Sequence, residues 1–110
     1  MRFGKRPRLR QRREFVAVQE RGQKLHSGAY VVLGLRNNLG HPRLGITVST
    51  RVGNAVVRNQ VKRWVREAFR AVATEWPSMD VVVIARSSAP RAGREGAVRA
   101  LAAVALEGRR

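Results

Sequence analysis

Cysteine is absent from the 110-residue chain. That removes disulfides, thiolate metal sites and a cysteine nucleophile together, and it fits a reducing compartment. Acids are scarce: seven Asp and Glu stand against 23 Lys and Arg, for a formal net charge of +16. The seven are scattered, so the paired carboxylates with which a single-chain nuclease would hold magnesium are missing. His26 and His41 fall in expected loop or turn positions without a partner motif, and no serine sits in a nucleophile elbow. A free-standing catalytic site is therefore not expected on this chain. Long apolar runs are also lacking. The longest clean run is Val81 to Ala85, far short of the roughly 20 residues that span a bilayer. No apolar segment follows the basic N-terminus as a secretory signal would require. The expected location is the cytoplasm.

What is present is arginine. It supplies 20 of the 23 basic residues, and its planar fork binds phosphate bidentately and stacks on bases. So large an excess of one sign repels itself in a compact chain, which points to a polyanionic partner. Nucleic acid is the first candidate and an anionic membrane surface the second. With 44% apolar residues the chain should fold, as one domain over residues 1–110. A basic arm (1–10) and a basic tail (107–110) are expected to be flexible, the arm settling on phosphates.

Residues from about Arg12 to Glu20 suit a short helix stopped at Gly22. Tyr30 to Leu35 reads as a buried strand, and Asn37, Asn38 and Gly40 mark a turn. Arg43 to Ser49 alternates, with Leu44, Ile46 and Val48 on one side and Gly45, Thr47 and Ser49 on the other. These two runs are expected to pair as an antiparallel hairpin. Asn54 is a good N-cap for a helix from Ala55 to about Glu75. Val81 to Ala85 reads as a strand buried on both faces. A last helix from about Arg94 to Leu106 places Ala97, Val98, Leu101, Ala102 and Ala105 on one stripe. The expected class is α+β: a small α/β sandwich with one mostly antiparallel sheet packed with helices.

The helix beginning at Ala55 carries the strongest signal. At about 100° per residue, Val57, Val61, Trp64, Val65, Ala68 and Val72 share one arc, while Asn59, Lys62, Arg63, Arg66 and Arg70 share another. Arg58 lies at the margin of the second arc. From Val57 to Arg70 there are four arginines, one lysine and a single acid, Glu67. Cations at i,i+4, such as Lys62/Arg66 and Arg66/Arg70, repel each other. A helix kept only for stability would place glutamates there. Arg58 and Asn59 also fall in the first turn, where free backbone N–H groups and the helix dipole favour an anion. The outward arc reads as a phosphate-binding surface and the inward arc, with Trp64, as core.

The segment RLGITVSTRVGNAVVRNQVKRWVREAFR, Arg43 to Arg70, resembles the signature region of the bacterial ribonuclease P protein family. The pattern R-N-x-x-K-R-x-x-R is present in full as Arg58, Asn59, Lys62, Arg63 and Arg66, preceded by V-G-N-A-V at Val52 to Val56. The opening RLRQRREF (Arg8 to Phe15) and the strand VVVIAR (Val81 to Arg86) extend the resemblance over most of residues 8–105. It implies a sandwich with a left-handed β-α-β crossover. It also implies a protein subunit that works with a catalytic RNA to remove the 5′ leader from precursor tRNA. The RNA would carry the hydrolytic centre and its magnesium ions, and one protein would pair with one RNA, with no membrane partner. Carried over, Arg51, Arg58, Asn59, Lys62, Arg63, Arg66 and Arg70 would face RNA. Phe15, Val31, Leu33 and Val48 would line a cleft for the leader, with no metal site on the protein. This chain departs from some relatives in having Gln19 and Leu33 where they carry aromatics, which predicts weaker base stacking. The competing readings are a general RNA-binding or ribosomal-type protein without a processing role, and a basic DNA-binding domain.

Overall fold

In the computed structural model, residues 8–9, 11–73, 76 and 78–108 are described, with side chains to 104. Seven elements follow one another: α1 (Arg12–Arg21), β1 (Gln23–Ser27), β2 (Tyr30–Arg36), β3 (Arg43–Thr47), α2 (Ala55–Val72), β4 (Met79–Ala85) and α3 (Ala89–Gly108). The four strands form one sheet in the order β1-β2-β4-β3. β1 pairs with β2, and β2 with β4, antiparallel. β3 pairs with β4 in parallel.

The expected hairpin between β2 and β3 is therefore not formed, because β4 lies between them. The reason is chemical. β4 is apolar along most of its length, and Val81, Val82 and Val83 are each almost wholly inaccessible. A strand that must be covered on both faces belongs in the middle of a sheet. β3 instead occupies an edge and reaches β4 through α2, a parallel crossover that needs an intervening helix. The hairpin that does form joins β1 to β2. Ser27 pairs with Tyr30, leaving Gly28-Ala29 as a two-residue loop. Gly28 has φ +58°, the positive value that the first position of a type II′ turn requires.

Each sheet face carries its own core. Tyr30, Val32, Val81, Val83 and Leu44 point toward α2 and α3 and meet Val61, Val65, Ala68 and Phe69 of α2 and Leu101 of α3. On the other face, Leu33 and Val82 pack against Val18 of α1, with Leu9 and Phe15 beside them. Leu9 is buried and its N–H donates to Leu44 O at 3.0 Å. The part of the expected arm that is described is thus tied to the β3 edge, while residues 1–7 and 10 lie outside the described residues. At the other end, α3 continues through Gly108, and 109–110 lie outside.

Three further expectations change in detail. α2 ends at Val72 with Ala73 as C-cap, short of Glu75, which is outside the described residues. Val98 is exposed, whereas Ala100 is buried and Val104 packs on the core. The inward stripe of α3 therefore runs through Ala97, Ala100, Leu101 and Val104. Gly93, with φ +67°, kinks that helix, so its regular part begins near Arg94 as expected. Gly22 ends α1 with φ −76°, an ordinary value. Glycine is needed there because a Cβ would fall 2.4 Å from Val18 O and 2.9 Å from Gly34 O.

Candidate functional site

α2 begins where Asn54 Oδ1 accepts a hydrogen bond from Val57 N–H at 3.0 Å, capping one free donor of the first turn. Its phase is then set by the core: Val61, Val65, Ala68 and Phe69 are buried. This rotation leaves Lys62 and Arg66 half-buried on one flank, with Asn59, Arg63 and Arg70 exposed. Arg58 is half-buried and its Nε donates to Gly53 O at 3.2 Å. Arg51 is exposed in the turn before the helix. Trp64 is partly buried against the core, and Trp76 is buried with its ring 5.6 Å from that of Phe69. Both tryptophans are thus packing residues.

Charge compensation along this face is uneven. Glu67 lies 3.6 Å from both Arg63 and Arg94, a long and exposed pairing of small energetic weight. Among the described residues, no carboxylate pairs with Arg51, Arg58, Lys62, Arg66 or Arg70. These cations are free to meet an external anion.

A cleft of about 190 Å³ opens along the β3 edge. Lys62 and Arg66 of α2 form one wall, and Phe15 with Arg8 and Leu9 forms the other. Its floor is Leu44, Gly45 and Ile46 of β3. Gly45 makes the floor possible: a Cβ there would meet the Phe15 ring at 2.5 and 2.7 Å. The site thus sets an aromatic and apolar surface beside unpaired cations, the combination that takes a base on one side and a phosphate on the other.

Register explains where α1 lies. Leu35, Asp80 and Arg43 form one row across the sheet, Leu33, Val82 and Gly45 the next, and Val31, Ile84 and Thr47 the third. The middle row is covered by Val18, Phe15 and Leu9. In the third row, Ile84 is half-buried and Thr47 is exposed. The first row carries a polar clamp. Arg43 Nε and Nη2 each donate to Asp80 at 2.8 Å, and Nη1 donates to Glu14 of α1 at 2.7 Å. Bonding to Asp80 raises the already basic pKa of Arg43, against the opposing effect of burial. Asn37 Nδ2 also donates to Asp80 at 2.7 Å, which satisfies a carboxylate that is only 7% exposed.

Of the expected cleft residues, Phe15 lines the opening and Val31 lies in the third row. Leu33 is covered by α1 as core. Val48 lies one residue beyond the end of β3, packs into the core beneath α2 and is not part of the cleft lining. Sequence reasoning did not bring Arg8 and Leu9 to the cleft. The signal that could have found them is Gly45, since a glycine inside a strand marks close approach by another segment.

Among the described residues there is no group of three or more acids and histidines able to hold a metal, and no helix is long and apolar enough to cross a membrane.

A family model described as Ribonuclease P matches residues 3–107. The ribonuclease P protein component of Thermotoga petrophila is 45% identical over 85 residues, covering 76% of this chain and 73% of that protein. That of Staphylococcus haemolyticus is 38% identical over 82 residues, covering 74% and 72%. Among solved structures, the Staphylococcus aureus RNase P protein superposes with a TM-score of 0.83 at 32% identity, covering 92% of this chain and 93% of that one. The Thermotoga maritima protein in complex with 1-(4-fluorophenyl)-2-thiourea gives 0.80 at 36% identity, covering 88% and 95%. Sequence, sheet order and helix placement agree: the chain belongs to the ribonuclease P protein family.

Proposed function

We propose that this protein is the protein subunit of a ribonuclease P, binding a catalytic RNA and the 5′ leader of precursor tRNA so that the leader is removed by hydrolysis. The observation that carries the reading is the cleft itself. It sets Phe15 and an apolar floor opposite Lys62 and Arg66, on a chain of this family. An extended single strand presents bases and phosphates on opposite sides, which is what these two walls can hold. Beyond the cleft α2 carries two further exposed cations, Arg63, which shares Glu67, and the unpaired Arg70. That gives the folded backbone of the RNA subunit a surface contiguous with the leader path.

The chemistry itself is assigned to the RNA. Three of the carboxylates, Glu14, Glu67 and Asp80, are engaged by arginines and are not positioned to activate water. Magnesium held by the RNA would supply the nucleophile and the charge neutralisation, and the protein would screen phosphates so that the two RNAs approach. One protein beside one RNA, in the cytoplasm, completes the reading. The test is cleavage of precursor tRNA by the RNA subunit at low magnesium with and without this chain. The protein should raise the rate by about tenfold or more, as 1.4 kcal/mol of added transition-state stabilisation would. An unchanged rate would assign it to general RNA binding instead.

A further inference from the structure

α1 is poorly anchored by apolar contact. Of its ten residues only Val18 is buried, with Phe15 half-buried over Gly45. A polar attachment lies one residue before Phe15. Glu14 accepts from Arg43 Nη1 at 2.7 Å, while the other edge of the same guanidinium grips Asp80. Asp80 is itself held by Asn37, and Asn37 Oδ1 accepts from Ser78 Oγ and from Leu39 N–H. The guanidinium is therefore locked from the sheet side. At its helix end, the second oxygen of Glu14 accepts from Gln11 N–H at 2.9 Å, which ties the clamp to the first turn of α1. These charge-assisted, partly buried bonds are short and directional.

We infer that Arg43 is a positioning residue that sets the width of the leader cleft by clamping α1, through Glu14, to Asp80 of the central strand. The inference rests on the leader-binding reading above. It adds a residue that touches no RNA in that reading but fixes where Phe15 stands relative to Lys62 and Arg66. A small displacement of a binding group is enough to cost most of its contribution. Lysine at position 43 could still pair with Asp80, but one ammonium cannot replace a fork that spans two carboxylates. Glutamine at position 14 would keep the bond from Gln11 N–H and lose the charge that Arg43 meets.

The experiment measures the affinity of the reconstituted holoenzyme for precursor tRNA and for mature tRNA, at a temperature where each variant is folded by circular dichroism. The preference for precursor over mature tRNA should fall roughly five- to tenfold in Arg43→Lys and in Glu14→Gln, with affinity for the RNA subunit unchanged. In a Phe15→Ala background the Arg43→Lys change should add little further loss, because it acts through Phe15. A preference unchanged in folded Arg43→Lys, an equal loss for both tRNAs, or full additivity with Phe15→Ala would overturn the inference. If Arg43→Lys does not fold, Glu14→Gln, which leaves Asp80 paired, decides by the same criteria. If Phe15→Ala alone leaves the preference unchanged, the leader-binding reading fails and the inference falls with it. If Phe15→Ala lowers the preference but the clamp variants do not, only the inference fails.

Discussion

Tyr30 is wholly buried in the larger core, and among the described residues its hydroxyl has no hydrogen-bond partner. A buried donor left unmade costs free energy, and burial also holds its proton, moving the pKa from 10.0 to about 12. The unfolded tyrosine loses its proton near 10 while the folded one keeps it to about 12. The unfolded state is therefore favoured as pH rises through that interval, and stability falls. Tyr30→Phe removes both effects. It should stabilise the fold by about 1 kcal/mol at neutral pH and flatten the alkaline loss, as read by denaturant unfolding at pH 8 and pH 11. Equal alkaline losses in wild type and variant would show that another group governs that range. Residue types with strong local meaning were legible from sequence: Asn54 as cap and Trp64 as packing. Val48, placed in the cleft by family resemblance alone, packs against the core instead.

Elements were legible where one local rule decides them. α2 carries a cap, an apolar arc and a basic arc, and its start at Ala55 follows from these. Asn54→Ala should lower the melting temperature by roughly 4–8 °C, the equivalent of about 1 kcal/mol in a domain of this size. A melting temperature within a degree of wild type would show that the cap bond at Val57 contributes nothing. β1, the sheet order and the edge position of β3 were not legible. Period-2 alternation reports which face a residue occupies, not which strand lies beside it. The polar clamp was out of reach for the same reason. Glu14, Arg43 and Asp80 are far apart in the chain and become neighbours only when β4 enters between β2 and β3.

At the scale of the molecule, the charge of +16 is partly internal and partly offered outward. Arg43 is spent on the clamp, and Arg63 and Arg94 share Glu67. The unpaired cations form a surface from Arg51 through Lys62 and Arg66 to Arg70, with the apolar cleft opening beside it. Composition alone raises the expectation of a polyanionic partner. The division of labour among the cations required the fold.

The measurement that tests this account most directly is the salt dependence of binding to the RNA subunit, for wild type and for a Lys62→Ala/Arg66→Ala double variant. Wild-type affinity should fall steeply as salt rises. The double variant should keep the wild-type melting temperature and show a log–log slope shallower by about 2, one for each lost phosphate contact. Wild-type affinity that stays flat with salt, or a variant slope equal to wild type, would contradict a phosphate-binding role for α2.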